Sequence, residues 1–390
     1  MSASLKRRDL LKRGALLTGS FALLNGGIFN KVSAAPNIEK PFEGKVFRGS
    51  DLETFETTPV AIKARLLANE NPFGPSAKAK KAITEAINLS YQYPFENRKL
   101  LEGKILESEG LKEGQILMAA GSSPLLLAAA LCFGKGTIVS AIPTYEDLLT
   151  HAEQLGTKVV RVPLTADYVF DLDAMEKVID SNTSLVYICN PNNPTATVAD
   201  TAKLKAFCER VSKKTTVFVD EAYIDYLDDP KSVSLIESIK KRQNIIVART
   251  FSKLYGFAGL RVGYIVSQPE MITKLNMYTS APMDMSATSI AAAGVAYQDK
   301  EFLQGAFNKT MESKKFLYDT LKKEGYEYIP SATNFVMFPV KMESKRFAEE
   351  MMKRGVGVRS WKFMGKEWCR VSIGRMDEMR EFAIAFKDLS

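Results

Sequence analysis

Short apolar runs rich in β-branched residues alternate along this chain with longer segments in which apolar residues recur at helical spacing. Seven runs predict strands, because turn-forming residues bound them. They are residues 115–119, 137–142, 158–162, 185–189, 216–219, 244–248 and 262–266. The alternation predicts an α/β fold in which crossover helices connect a mostly parallel seven-stranded sheet. Only the last two strands are joined too tightly for a helix.

Helical spacing is found between these strands and before the first one, at residues 75–89, 125–133, 145–155, 172–179 and 202–211. Beyond residue 284 the pattern changes. A helical region at 287–323 precedes short strands at 326–329, 334–339, 356–359 and 368–373, with helices near 345–354 and at the C-terminal end. We predict four parts: a leader (1–34), an N-terminal arm (35–70), a large domain (71–284) and a small α+β domain (285–390).

The first 34 residues resemble a twin-arginine signal peptide. Arg7 and Arg8 precede an apolar, glycine-interrupted stretch at 14–29 that is short for a membrane span, and Ala34 offers a small residue for cleavage. This pattern predicts export by the twin-arginine translocase to the periplasm or the outside of the cell. The alternative is a cytoplasmic protein whose basic N-terminus is not processed.

Composition excludes several classes of function. The chain has 390 residues, 46% of them hydrophobic, which is enough for a large core. Its net charge is +8, but the leader contains six basic residues and one acidic residue, so the remainder carries +3 and nucleic-acid binding loses its main support.

The single histidine, His151, excludes a multi-histidine metal site, and we interpret it as a surface helix residue. The four cysteines lack metal or redox spacing and are predicted to be mostly buried thiols: Cys132, Cys189, Cys208 and Cys369.

Polar residues follow several of the predicted strands, where ligands bind in open α/β sheets. Lys253 lies in Thr-Phe-Ser-Lys with Arg261 eight residues on, and this combination supplies an amine, hydroxyls and a guanidinium. Such a set suits pyridoxal phosphate, with the amine as Schiff-base anchor and the other groups as phosphate donors. Taken singly, each feature has an ordinary interpretation: Lys253 as a solvated helix start, Asp220 as a strand-end cap and the Asn-Pro-Asn-Asn-Pro run at 190–194 as a turn.

From about residue 66 to 373, the ordered set of motifs resembles fold-type I pyridoxal phosphate-dependent aminotransferases, and most closely the histidinol-phosphate aminotransferase branch. The motifs are Asn-Glu-Asn-Pro at 69–72, Tyr-Pro at 93–94, Pro-Thr-Tyr at 143–145, Asn-Pro-Asn-Asn-Pro-Thr at 190–195, Asp-Glu-Ala-Tyr at 220–223, the segment 250–264, Asn-Phe at 334–335 and Arg-Val-Ser-Ile-Gly at 370–374. The resemblance implies pyridoxal 5′-phosphate as cofactor, small amino-acid and oxo-acid substrates, a homodimer and no metal ion.

The resemblance also implies individual roles. Lys253 would form the Schiff base and move the substrate proton, Asp220 would pair with the pyridine nitrogen, and Asn193 and Tyr223 would contact the ring hydroxyl. Tyr145 would stack on the ring. The phosphate ligands would be Gly121, Ser122, Ser123, Thr250, Ser252 and Arg261, with Tyr93 reaching in from a second subunit. Arg370 would grip the substrate α-carboxylate, and Asn69 and Asn334 would contribute to substrate binding.

Two positions depart from the family pattern. Ser123-Pro124 stands where an acidic residue is usual, and Ala196 stands where glycine usually follows Asn-Pro-Thr. Neither change removes a group needed for transamination, so we expect an aminotransferase with glutamate or a similar donor. The alternatives are a decarboxylase, lyase or racemase on the same scaffold, or a binding protein that keeps the cofactor without turnover.

Overall fold

The computed structural model describes residues 61–281 and 283–390. The predicted leader and most of the predicted arm therefore lie outside the described residues. In the described part, the strands are β1 Ala64–Arg65, β2 Ile116–Ala119, β3 Thr137–Ile142, β4 Val159–Pro163, β5 Thr183–Cys189, β6 Thr216–Asp220, β7 Ile245–Thr250, β8 Gly263–Val266, β9 Phe335–Pro339, β10 Val356–Gly357, β11 Arg359–Phe363 and β12 Lys366–Ser372.

The α-helices surround these strands, and most begin within two residues of a predicted start. They are α1 Ala77–Ile87, α2 Phe95–Glu109, α3 Ser123–Phe133, α4 Asp147–Gln154, α5 Leu172–Lys177, α6 Thr201–Val211, α7 Pro230–Val233, α8 Ile236–Lys240, α9 Pro269–Asn276, α10 Ala287–Ala296, α11 Lys300–Lys323, α12 Ser344–Lys353 and α13 Met376–Lys387. Side chains cap several first turns, as Ser76 does for α1 and Asp200 for α6.

The seven predicted strands form one sheet in the order β2-β8-β7-β6-β5-β3-β4, which confirms the predicted α/β class. Strand β8 runs antiparallel to both of its neighbours, as the short connection after β7 requires, and the other pairs are parallel. Strands β5 to β8 are almost wholly buried, because helices cover both faces of the sheet. Parallel neighbours β5, β6 and β7 bring their carboxyl ends, and the polar residues that follow them, to one edge.

A second, three-stranded antiparallel sheet has the order β11-β12-β9. Its register places Arg359 opposite Arg370 and Trp361 opposite Trp368. Helices α11, α12 and α13 pack with it around a separate apolar cluster that includes Phe338, and Ala64 and Leu66 join that cluster from the N-terminal side. The division into a large domain at 71–284 and a small α+β domain at 285–390 stays a prediction.

The structure corrects four details of the C-terminal and N-terminal predictions. The predicted helix at 287–323 is two helices, interrupted before Lys300, and the predicted strand at 326–329 is reduced to one bridge between Ile329 and Met337. The predicted strand at 356–359 is divided between two sheets, because Val356–Gly357 pairs with Ala64–Arg65. Helix α2 was not predicted, since its sequence offers few regularly spaced apolar positions.

Candidate functional site

Lys253 lies just beyond the carboxyl end of β7, at the edge where the polar loops meet. Its Nζ donates a hydrogen bond to the carbonyl of Asn69 at 3.3 Å and lies 5.1 Å from the ring centroid of Tyr223. The side chain is only partly buried. The amine is therefore held next to aromatic and carbonyl groups with an open approach for a small molecule.

Asn69 connects four parts of this site. Its backbone has a φ of 53°, a left-handed conformation that asparagine tolerates better than most residues. Its carbonyl accepts from Lys253 and from the side-chain amide of Asn334, and its own side-chain amide donates to the Tyr223 hydroxyl at 3.0 Å. Its side-chain oxygen accepts from the Ser372 hydroxyl at 2.9 Å. Asn69 therefore positions Lys253 and Tyr223, and Asn334 binds the same Asn69 carbonyl; their role as substrate ligands stays a prediction.

Asp220 ends strand β6 and is 2% exposed. Its carboxylate accepts from the Ala222 N–H at 3.0 Å and from the Tyr187 hydroxyl at 3.3 Å. Burial raises the pKa of Asp220 to about 6, although these hydrogen bonds and the charge of Lys253 act in the opposite direction. A cationic partner would favour the ionised carboxylate, and a protonated ring nitrogen is such a partner.

The predicted phosphate ligands meet in a small cradle. Gly121 has a φ of 88°, and a Cβ at this position would overlap the guanidinium of Arg261. That guanidinium donates to the Ser252 hydroxyl at 3.2 Å, which also accepts from Thr250 at 3.0 Å. Ser122 precedes α3 and its side chain does not cap the helix. Helix N–H groups, hydroxyls and a guanidinium in one place suit a phosphate dianion.

The departure at Ser123-Pro124 has a structural explanation. Pro124 lies in the first turn of α3, where a missing N–H costs nothing. Asp147, from α4, lies near Ser123, and one of its carboxylate oxygens lies 3.5 Å from His151 Nε2. Burial raises the pKa of Asp147, whereas His151, Ser123 and Arg261 favour its charged form. An acidic group is thus present beside the phosphate loop, supplied by a different element.

Arg370 lies on strand β12 and is 4% exposed. Its guanidinium donates to Asn193 Oδ1 at 2.7 Å and to the Leu67 carbonyl at 3.0 Å, while its Nε has no hydrogen-bond partner in the described chain. Aromatic rings of Phe335 and Trp361 lie 5.3 Å and 6.0 Å from it. Burial lowers the pKa of Arg370 to about 10. The guanidinium stays charged at neutral pH and retains donor capacity for an anion.

Sequence reasoning missed Arg359 as a site residue. It pairs in register with Arg370, and its charge contributes to lowering the pKa of Arg370. The two guanidinium groups therefore share one face of the antiparallel sheet, together with Trp361. The sequence signal that could have identified Arg359 is the period-two alternation of residues on β11 and β12. The register of these strands depends on the turn at Met364 and Gly365, which we did not predict from the sequence.

Three further predicted residues have different outcomes. Tyr145 follows β3, near Asp220 and Tyr223, where stacking on a bound ring is feasible. Ala196 adopts a φ of 63° despite its Cβ and accepts a hydrogen bond from the Ala332 N–H, so the turn keeps the left-handed geometry expected of glycine. Tyr93 is 69% exposed, and its ring lies 5.7 Å from that of Phe95, so its predicted contact with a second subunit stays a prediction.

Taken together, the residues fit the predicted cofactor. The site provides a partly exposed amine and a cradle in which a Cβ at Gly121 would occupy part of the space. It also provides a buried carboxylate whose hydrogen-bond partners among the described residues are a backbone N–H and a tyrosine hydroxyl, both neutral. Cys189, Cys208 and Cys369 are buried and Cys132 is partly buried, all as free thiols, as predicted. None of the described helices combines the length and hydrophobicity needed to cross a membrane.

Comparison with known proteins gives a consistent result. The family model for aminotransferases of class I and II matches residues 61–386. A histidinol-phosphate aminotransferase of Brevibacillus brevis is 33% identical over 328 residues, which cover 83% of this chain and 90% of the relative. Histidinol-phosphate aminotransferase 2 of Carboxydothermus hydrogenoformans is 36% identical over 320 residues, covering 80% of this chain and 86% of the relative.

A solved structure provides a further comparison. The histidinol-phosphate aminotransferase of Sinorhizobium meliloti, in complex with pyridoxal-5′-phosphate, superposes with a TM-score of 0.80 at 26% identity. The alignment covers 91% of this chain and 98% of the relative.

Proposed function

Because the chain belongs to the class I and II aminotransferase family and is a pyridoxal phosphate-dependent aminotransferase, we propose that it moves the amino group of glutamate to an anion-bearing carbonyl compound. The acceptor would be a 2-oxo acid or a phosphorylated ketone like the oxidised partner of histidinol phosphate, after which the relatives are named. The observation that carries this proposal is the buried Arg370, which has an unpartnered Nε in the described chain and lies opposite Arg359 in the strand register.

Four residues would hold the cofactor ring and its phosphate at opposite ends. Asp220 would accept a hydrogen bond from the protonated pyridine nitrogen, and Gly121, Ser252 and Arg261 would bind the phosphate. When bound, the cofactor supplies an aldehyde that exchanges amino groups and a ring that accepts the electrons of the substrate Cα–H bond. The low polarity around Asp220 keeps the ring-nitrogen contact strong, since few waters compete.

Arg370 would bind the substrate, and Lys253 would transfer the proton. Arg370 binds the substrate anion bidentately, which fixes the substrate and sets which bond at its α-carbon stands ready to break. Lys253 Nζ takes the proton from that carbon and returns a proton on the other side of the C–N bond. The Asn69 carbonyl keeps the amine within reach of the Tyr223 ring while it does so.

The two adjacent guanidinium groups favour substrates with a dianionic or second anionic group. Glutamate has two carboxylates, and a phosphate monoester carries close to two charges at neutral pH, so either would bring an anion to Arg370 in a region of positive charge. Histidinol phosphate has no carboxylate, so on this chain Arg370 would meet its phosphate. An exported enzyme would serve a different amino acid, because histidine synthesis is a cytoplasmic task.

Single-turnover spectroscopy tests this proposal. Holoenzyme mixed with glutamate should convert its cofactor absorbance to the amine form with release of one equivalent of 2-oxoglutarate. Histidinol phosphate and phenylalanine are then compared with histidinol, which lacks the anion. Conversion by the anionic donors but not by histidinol supports the proposal. Release of CO₂ or ammonia would indicate a decarboxylase or lyase, and an unchanged spectrum would indicate a binding protein.

We also propose a homodimer in which Tyr93 completes the phosphate site of its neighbour. Tyr93 lies among other exposed apolar side chains, including Tyr91, Phe95 and Leu100, which a second copy would cover. Mixing a Lys253→Ala protein with a Tyr93→Ala protein tests the contact. Hybrid dimers contain one intact site, so activity above that of either parent supports sharing, and no recovery would contradict it.

Export is the last part of this proposal. Arg7 and Arg8 with the apolar stretch at 14–29 support twin-arginine translocation and removal of residues 1–34. Fractionation of cells that express the full chain, compared with an Arg7→Lys, Arg8→Lys variant, tests it. A shortened protein outside the cytoplasm, lost in the variant, is expected; an unprocessed cytoplasmic protein in both would support the cytoplasmic alternative.

A further inference from the structure

Lys314 is a buried lysine on α11 to which the mechanism above gives no role. Its side chain is 6% exposed, and its Nζ donates to the carbonyls of Ser331 at 2.9 Å and Thr333 at 3.0 Å. Burial lowers the pKa of Lys314 to about 8, and Asp228 is the acidic group whose charge opposes this decrease. Burying an ammonium group costs free energy unless its N–H groups are hydrogen-bonded. The two carbonyls provide these hydrogen bonds and so offset part of that cost.

The carbonyls belong to a loop, residues 331–333, that is fixed from three directions. One turn along α11 from Lys314, the Tyr318 hydroxyl accepts from the Ser331 N–H at 2.8 Å. On the opposite side, the Ala332 N–H donates to the Ala196 carbonyl at 2.9 Å. Lys314 therefore supplies the cationic part of a clamp on a short segment that also touches the turn after β5.

The loop leads directly into Asn334, and Asn334 leads to the reactive amine. The Asn334 side-chain amide donates to the carbonyls of Asn69 and Glu70, both at 3.1 Å. The same Asn69 carbonyl accepts from Lys253 Nζ. A continuous set of hydrogen bonds and one covalent segment thus joins Lys314 to Lys253.

We propose that Lys314 is a positioning residue for transamination: its ammonium clamps the loop at 331–333 and, through Asn334 and Asn69, sets the placement of the Lys253 amine. The kinetic part of this inference rests on the proposed function, whereas the structural part does not. The described groups that act on the Lys314 ammonium are the two carbonyls and the charge of Asp228, and no second lysine or arginine among the described contacts binds these carbonyls. Loss of the Lys314 proton therefore removes the cation from the clamp.

Hydrogen exchange on the full-length holoenzyme tests the clamp without substrate. We expect Lys314→Met to speed exchange in residues 326–336 by roughly tenfold or more at neutral pH, as loss of charge-assisted hydrogen bonds predicts. Lys314→Arg should retain protection. Lys315→Met is the matched control, because Lys315 is the exposed neighbour on α11 and forms an ion pair with the exposed Asp319.

The pH dependence separates a charge effect from simple packing. In the wild-type protein, protection of 326–336 should fall as pH rises through about 8, where Lys314 loses its proton, and in Lys314→Arg it should persist. If Lys314→Met does not fold, the comparison of wild-type protein with Lys314→Arg across pH is sufficient to test the proposal. Equal protection in all variants, or the same pH dependence in wild type and Lys314→Arg, would overturn the proposal.

Kinetics supply the functional half of the test. Lys314→Met should lower kcat for the glutamate half-reaction by roughly tenfold, with Lys314→Arg recovering most of it and KM changing little, since Arg370 keeps its own contacts. If Lys314→Met changed KM but left kcat unchanged, the result would contradict the proposal that Lys314 positions the Lys253 amine. An inactive wild-type protein would refute the proposed function instead, and the exchange result would still stand.

Discussion

Asp220→Asn gives the sharpest prediction about the candidate site, because it affects the cofactor-free and cofactor-bound proteins in opposite directions. In the wild-type protein, the Tyr187 hydroxyl donates to the Asp220 carboxylate. In the variant, the asparagine oxygen can still accept from the Ala222 N–H, and the asparagine amide can donate to the Tyr187 hydroxyl. The substitution therefore removes a buried charge while keeping shape and hydrogen bonds.

The magnitude follows from the pKa of Asp220, which burial raises from 3.8 to about 6. A raised carboxyl pKa means that ionisation opposes folding: the cost is absent below the unfolded pKa and complete above the folded one. At 1.36 kcal/mol per pKa unit, the full cost in the cofactor-free protein is about 3 kcal/mol. Asp220→Asn should thus stabilise the cofactor-free protein by up to about 3 kcal/mol near pH 8 and have little effect near pH 4.

The assay is denaturant unfolding of both cofactor-free proteins across this pH range, beside an equilibrium titration with pyridoxal phosphate. The variant should bind the cofactor at least about tenfold more weakly, because the partner of the ring nitrogen is gone. A variant that is destabilised equally at both pH values would refute the reasoning. Unchanged cofactor affinity would remove Asp220 from the ring-nitrogen role.

Three other substitutions test separate parts of the structure. Gly121→Ala should weaken cofactor binding by roughly a hundredfold in the same titration, because its φ is positive and its Cβ would meet a guanidinium, whereas Gly103→Ala, with open space, should not. Arg370→Lys should raise KM for glutamate by roughly tenfold or more at unchanged cofactor affinity, because the bidentate fork is lost. Arg249→Met leaves the buried Glu221 unpaired and should lower the free energy of unfolding by about 3 kcal/mol without altering KM.

The sheet could be predicted from sequence because its strands are short, buried and separated by helices with regular spacing. All seven appear within about two residues of their predicted positions, and the polar residues that follow β5, β6 and β7 share one edge, as parallel topology requires. Lys253 and Asp220 were accessible to sequence reasoning for this reason: Asp220 ends β6 and Lys253 lies three residues beyond the end of β7.

Residues that depend on long-range register could not be found in this way. Arg359 becomes a site residue only through its pairing with Arg370, and Lys314 only because a distant loop turns its carbonyls toward α11. Asn69 is similar: its motif was visible, but its left-handed backbone and its bonds to Lys253, Asn334 and Ser372 arise from tertiary contacts. Helix α2 lacks regular apolar spacing, so no local signal predicted it.

The central claim is that the side chain of Lys253 carries the cofactor. Borohydride reduction of the holoenzyme, followed by proteolysis and mass spectrometry, tests it most directly. We predict one pyridoxyl group per chain, on the peptide that contains Lys253, and none in a folded Lys253→Ala protein. A label on another lysine, or no label in a protein that retains bound cofactor, would contradict the account.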